Sequence, residues 1–352
     1  MKDEHKEGIR ESERFFTGIL LLAAFKLFLC IINWEDVHMQ SGTQKKPLMY
    51  YLKKDWLMFK RNWQLYLLLL LPTAYYIIFK YIPMYGVTIA FKDYNMFKGI
   101  AESPWVGLKI FREVFSLNQF YVVVRNTLLI NVLDLILGFP APIILAILLH
   151  EVKGIRFKKV SQTILYLPHF ISWVIIGGMV YQIFATQSGF INTALRSLGF
   201  SNIPFLTEKW YWLFTYIGVG IWQSMGWGSI IYLAAIAGIN SELYEAAEVD
   251  GANRMRKIWH ITLPGITPTI VIMLILRMGQ IMAIGFDRPF IIGNPLVSDF
   301  SEVISTFNYH YGLRAAKYSL AAAVGLFQSV IGIIFLLSTN WIAKKAGETG
   351  IW

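Results

Sequence analysis

Cysteine is almost missing. Cys30 stands alone in 352 residues, so neither an internal disulfide nor a thiolate metal cluster can form within the chain. Charge is scarce as well: Asp, Glu, Lys and Arg make up only 15%, too little to coat a soluble domain. No G-x-x-x-x-G-K-[ST] run occurs, so the chain has no P-loop of its own for ATP. H-E-x-x-H and G-x-S-x-G are absent too, and an enzyme reading has little to rest on. Acidic residues are the rarer sign, 22 against 32 basic ones, for a net charge of +10. That surplus invites a nucleic-acid partner. No RNA-binding motif accompanies it, however, and the basic residues sit in short loops beside apolar runs, where they report topology.

What remains is apolar. Hydrophobic residues make up 56% of the chain, and mean hydropathy is +0.50, as in a polytopic membrane protein. The pattern predicts six core spans near 63–83, 121–149, 162–184, 211–238, 268–287 and 317–342. Basic clusters alternate between their loops. Lys153, Arg156, Lys158 and Lys159 mark one inner loop, and Arg254, Arg256 and Lys257 mark the next. Lys344 and Lys345 then place the C-terminus in the cytoplasm. Loops near 95, 200 and 300 fall outside. Small residues from Gly218 to Gly238 suit close helix contact in lipid.

Two readings stand for the beginning. Residues 15–33 are apolar except for Lys26, enough for one extra N-terminal helix. Alternatively, natural translation starts at Met39 and leaves a basic cytosolic arm. In either case 1–60 forms an arm, 61–120 the first core span with its outer loop, and 121–345 the main transmembrane domain.

The stretch 240–264, NSELYEAAEVDGANRMRKIWHITLP, interrupts the apolar runs. Asn240 or Ser241 can cap a helix that has Glu242 in its first turn. Leu243, Ala246 and Ala247 share one face. Asp250-Gly251 signals a turn, and a second short helix is expected from Asn253 to His260. Pro264 and Pro268 are expected to open the next span. Glu245-Ala246-Ala247, three residues, Gly251, nine residues, then Ile261-x-Leu263-Pro264 gives EAA-x3-G-x9-I-x-LP. This resembles the EAA loop of permease subunits of bacterial ATP-binding-cassette importers, the MetI-like family. The runs RNWQLYLLLLLPTAYYIIFKYIPMYGVTIAFKDYN, SPWVGLKIF, GFDRPFIIGNP and VISTFNYHYGL resemble its LplB-like oligosaccharide subfamily, over roughly 58–345. That subfamily usually has Glu where Asp287 stands and Tyr where Gly293 stands.

Ionisable residues inside spans are functional suspects, here Asp134, Arg277 and Asp287; the plainer reading is an interhelical ion pair. Trp222, Gln223, Trp227, Tyr232, Gln280, Asn308 and Gln328 form a second group. Aromatic faces cover sugar C–H surfaces and amides bond hydroxyls, so this mixture suits a carbohydrate path; packing and an interfacial belt are the alternative.

The resemblance implies an all-α polytopic protein with the six-helix core of a type I importer, in the bacterial cytoplasmic membrane. It implies a second, different permease subunit, two ATPase subunits and an extracellular lipoprotein that delivers an oligosaccharide. ATP and Mg would be held by the ATPase partner, with no cofactor, metal or catalytic residue in this chain and no nucleic acid. Glu245, Ala246, Ala247, Asp250, Gly251 and Pro264 would couple to the ATPase. The same fold importing an amino acid, peptide or anion is one alternative. An ion-coupled carrier and a membrane-anchored scaffold are the others.

Overall fold

The computed structural model describes Trp56, residues 60–347 and residues 350–351. The 15–33 span, the start at Met39 and the basic residues Lys45, Lys46, Lys53 and Lys54 lie outside the described residues. The chain divides into two compact units, Met1–Ile77 and Ile78–Trp352.

Among the described residues, five helices are long and apolar enough to cross a membrane. They are α1 (Trp63–Phe91), α3 (Asn118–Glu151), α6 (Lys209–Ala237), α8 (Arg254–Gly279) and α10 (Tyr318–Lys345). A bent pair, α4 (Ile155–Phe170) and α5 (Trp173–Phe184), brings the number to six if it counts as one span. Shorter helices used below are α2 (Lys109–Ser116), α7 (Ser241–Val249) and α9 (Asp287–Ile292). Among the described residues, the sole departure towards sheet is an isolated bridge between Lys92 and Trp105.

In the first unit, Trp63–Tyr76 has no buried residue. WQLYLLLLLPTAYY is apolar all round, as suits a helix facing lipid. The second unit has three apolar cores. One joins Ala90, Val114 of α2, Phe120 and Val123 of α3, Phe307, and Leu320 and Val324 of α10. Residues from the stretch 90–120 therefore share a core with α3 and α10. The second core gathers Ile130, Ile176 and Val180 around Trp212, Leu213, Tyr216 and Ile217 of α6. The third joins Ile143 and Ala146 of α3 to Tyr232 and Ile236 of α6 and Ile266 of α8.

Three long helices widen into a π-helical turn at Ile77–Tyr81, Asp134–Gly138 and Ile258–Thr262. Pro83, Pro140 and Pro264 follow each in turn. A helical proline collides with the carbonyl four residues earlier and gives up one hydrogen bond. Those carbonyls belong to Phe79, Ile136 and His260, all inside the wide turns. The wider turn moves the carbonyl aside, so the helix passes the proline without breaking.

Three expected boundaries need correction. The span 162–184 is not one helix: α4 and α5 meet at 101°. Pro168 sits in a tight 3-10 turn, and Ser172 caps α5 through its side chain. The helix expected from Asn253 to His260 does not end before the next span. It is the first part of α8, and Pro264 and Pro268 lie within that helix because the wide turn at 258–262 accommodates Pro264. The span 268–287 stops at Gly279. There the Gly279 carbonyl meets Gly332 of α10 so closely that a side chain at 332 would collide with it. Beyond it the buried Asn131 amide donates to the Ile281 carbonyl at 2.8 Å and satisfies non-helical backbone.

Candidate functional site

Two places stand out. The first is the hairpin made by α7 and the start of α8. Asn240 Oδ1 accepts from the Glu242 amide at 3.0 Å and caps α7. At the far end, the Gly251 amide donates to the Glu248 carbonyl and the Ala252 amide to the Ala247 carbonyl, at 3.1 and 2.8 Å. This is a Schellman closure, and Gly251 occupies its left-handed position with φ +74°. Asn253 Oδ1 then caps α8 by accepting from the Arg256 amide at 2.9 Å. Two side-chain contacts also cross between the arms. Lys257 Nζ donates to Glu248 Oε1 at 2.6 Å, and the hydroxyls of Tyr244 and Thr262 meet at 3.0 Å. The Lys257 hydrogen bond, and then its charge, hold the Glu248 carboxyl below the usual carboxylate range.

The hairpin presents an exposed surface. Glu245, Ala246, Asp250, Gly251 and Pro264 are exposed, and Ala247 is half-buried. Leu243, Val249, Met255 and Trp259 are exposed as well, an apolar set on a polar hairpin, which is a mark of a docking surface. The His150 and Tyr244 rings lie 6.0 Å apart, so the end of α3 meets the base of the hairpin.

The second place is a polar cavity of about 340 Å³ lined by α3, α6, the end of α8 and α9. Asp134, Arg277, Asp287 and Arg288 all line it. Asp134 stands in the wide turn of α3 and pairs with Arg277 of α8. Gly138 makes room for that carboxylate, since a Cβ there would come within 3.0 Å of it. α9 is held under α6 by the indole of Trp212, which donates to the Ile292 carbonyl at 3.0 Å. Gly177 of α5 lets Ile291 approach. These contacts place Arg288 against α6. Its guanidinium donates to the Tyr216 carbonyl and lies 3.8 Å from the Tyr216 ring centre and 5.5 Å from that of Trp173. Gly220 lies directly against the same guanidinium.

The structure does not gather the expected path residues into one place. Gln223 lines the cavity and donates to the His169 carbonyl at 3.3 Å. Trp227 stacks on the His169 ring at 4.8 Å, so it braces the bend between α4 and α5. Trp222 is exposed, outside the cavity lining. Tyr232 is 2% exposed within the third core, packed with residues of α3 and α8. Gln280 is exposed beyond the end of α8. Gln328 lines a separate groove with Gly279, Gly325, Ser329 and Gly332. Asn308 is half-buried in the π-helical turn Asn308–Arg314. By contrast, the three ionisable suspects Asp134, Arg277 and Asp287 converge. Arg288, Tyr216 and Trp173 complete their cavity and were not singled out from sequence. Arg288 sits inside the run GFDRPF, beside Asp287, and an Arg next to a suspected intramembrane acid was the one available signal.

Comparison with known proteins agrees across the chain. Residues 73–348 match the family model described as "binding-protein-dependent transport system inner membrane component". Protein LplB of Bacillus subtilis is 43% identical over 293 residues, covering 83% of this chain and 92% of that protein. The polygalacturonan/rhamnogalacturonan transport system permease YteP of the same species is 42% identical over 288 residues, covering 82% and 90%. Among solved structures, a chain of a bacterial ABC transporter involved in import of the acidic polysaccharide alginate is 39% identical. It aligns with a TM-score of 0.76 over 83% of this chain and 99% of its own. A second structure shows such a transporter with an alginate pentasaccharide-bound periplasmic protein, at the same identity and TM-score.

Proposed function

This chain belongs to the family of binding-protein-dependent transport system inner membrane components, and from that membership we propose that it forms half of an ATP-driven path for an oligosaccharide. It is a multi-pass transport subunit, not an enzyme. The likeness to YteP and to the alginate importer, at 42% and 39% identity over more than four fifths of the chain, carries the carbohydrate reading. The other half of the path is a second, different permease. Two ATPase subunits hold ATP and Mg beneath the pair, and an external lipoprotein delivers the solute. The C-terminus and the hairpin face the cytoplasm.

The hairpin is the coupling element. Glu245, Ala246, Ala247, Asp250 and Gly251 dock to the ATPase, and Pro264 marks the wide turn through which α8 carries the motion. A hairpin closed by its own backbone bonds transmits a push as a rigid lever, and Ala246 beside Ala247 admits close approach. The cavity contributes this subunit's polar contacts to the solute, Gln223 among them. Trp222, Gln280 and Gln328 lie on the surface open to the second permease.

The test is ATP-dependent uptake of short oligosaccharides by the complete complex in proteoliposomes, with Glu245→Lys beside the wild type. Reversing that charge in a partly buried contact costs up to several kcal/mol, so stimulated hydrolysis and uptake both fall while the membrane core stays assembled. Normal uptake by Glu245→Lys would remove the coupling role. Uptake that persists without any ATPase subunit would select an ion-coupled carrier.

A further inference from the structure

Arg288 is a cation with no acid of its own. Among the described residues four ion pairs form, and none includes it. Arg277, the other cation lining the cavity, is neutralised by Asp134. Asp287 is exposed and does not pair with its neighbour. What Arg288 has instead is one backbone carbonyl and two aromatic faces. These are weak compensation for a half-buried guanidinium. Its Nε is buried without a hydrogen-bond partner. So is the hydroxyl of Tyr216, a residue that is 0% exposed and lines the same cavity. Buried polar groups are nearly always satisfied, and two orphans on residues that line one cavity need an explanation.

An anion entering the cavity would supply it. A carboxylate offers a negative charge and acceptor oxygens only. Those oxygens can take guanidinium N–H groups that the Tyr216 carbonyl leaves free. A guanidinium fork matches a planar carboxylate better than it matches a sugar hydroxyl. Gly220 is part of the fit, because any side chain there would occupy the place of the guanidinium. We therefore infer that the cavity between α6 and α9 is a carboxylate-binding station, with Arg288 as its contact, and that the transported oligosaccharide carries uronic acid groups. This rests on the oligosaccharide reading above and narrows it to acidic sugars.

The experiment uses the whole complex with one unchanged binding protein, in proteoliposomes. Short oligomers of galacturonate, mannuronate and guluronate are the probes, each beside the same oligomer with its carboxyl groups reduced to alcohols. The wild type is expected to import at least one charged oligomer at least about tenfold faster than its reduced form, the discrimination a hydrogen-bonding site can impose. Arg288→Gln is expected to collapse that ratio towards one, and Arg288→Lys, which keeps the charge without the fork, to restore part of it. Because the binding protein is constant, a change of ratio lies in the membrane part. Equal losses for charged and reduced oligomers in Arg288→Gln would mean that the arginine only holds α9 to α6, and would overturn the proposal. So would a wild type that prefers the reduced oligomers. Import of amino acids or peptides with no oligosaccharide taken up would instead sink the carbohydrate reading itself.

Discussion

In the hairpin the fixing bonds join near neighbours: Asn240 to Glu242, Gly251 to Glu248, Ala252 to Ala247, Asn253 to Arg256. In the cavity they join residues far apart in the chain: Asp134 to Arg277, Asn131 to Ile281, Arg288 to Tyr216. The difference has a mechanical meaning. A turn closed by its own backbone keeps its shape whatever the helices around it do. A cavity held by pairs from four helices keeps its shape only while those helices keep their positions. On the function proposed above, the first kind suits a lever that does not bend and the second a path that does.

The sharpest way to break this comparison is to deform the lever. Gly251→Pro forces φ from +74° to about −65° and deletes the N–H that reaches the Glu248 carbonyl. Uptake is expected to fall to background, while the assembled core unfolds at an unchanged temperature, since the hairpin lies outside the three apolar cores. Gly251→Ala separates strain from collision. No atom lies within 4 Å of a Cβ there, so only the left-handed backbone cost of about 1–2 kcal/mol applies, and partial uptake should survive. A core that unfolds in Gly251→Pro would show that the hairpin is not an independent lever.

The cavity should respond in the opposite sense, through stability first. Asp134→Asn leaves the half-buried Arg277 without its counter-charge. A buried group stripped of its partner costs about 1–3 kcal/mol, and the partial exposure of Arg277 argues for the lower half of that range. Arg277→Gln strands Asp134 in the same way. The double variant Asp134→Asn/Arg277→Gln should recover most of the loss, which thermal unfolding of the complex reads as a coupling energy. Additive losses in the double variant would mean that the pair is not a pair.

How much was legible from sequence follows the same division. The hairpin was nearly all readable, because caps and turns are written in neighbouring residues: Asn240, Asp250-Gly251, the EAA spacing. The turn at Gly251 was anticipated from its residue type, and the structure gives it the positive φ that type allows. The six apolar runs were readable too. The bend at 171–172 was not, because a Pro-containing 3-10 turn and a serine cap look, by hydropathy, like an uninterrupted span. The continuation of α8 back to Arg254 was hidden by Pro264, which reads as a helix start unless the wide turn before it is known. The cavity was readable only as isolated suspects. Asp134 and Arg277 were found as charges in apolar runs, but no spacing rule joins Tyr216 to Arg288. Aromatic content misled for a related reason: Trp222, Trp227 and Tyr232 are alike in type, and packing alone separates an exposed ring, a brace and a core residue.

That separation gives a smaller, sharper test. Trp227 stacks on His169 across the bend, and offset aromatic pairs add about 0.5–1.5 kcal/mol beyond their buried area. Trp227→Ala should lower thermal stability by that order and slow uptake as a consequence. Trp222→Ala, exposed and unstacked, should leave stability unchanged and lower uptake only if its face meets the solute. The reverse pattern would exchange the roles of the two rings.

The smallest effect belongs to the ion pair inside the lever. Lys257 holds the Glu248 carboxyl below its ordinary range, so this group binds a proton less readily folded than unfolded. Its contribution is therefore present above the unfolded carboxylate value and is lost as pH falls through the lower, folded one. Glu248 is largely exposed, with 68% of its side chain accessible against 16% for Lys257, and salt screens such pairs. The backbone bonds at Gly251 and Ala252 carry the turn without it. Glu248→Gln is accordingly expected to leave uptake unchanged and to speed amide exchange at 251 and 252 slightly. That difference should be visible near neutral pH in low salt, shrink in high salt, and vanish in acid once exchange is corrected for its intrinsic pH dependence. A large loss of uptake in Glu248→Gln would show that the hairpin is held by side chains after all, and the contrast with the cavity would fail.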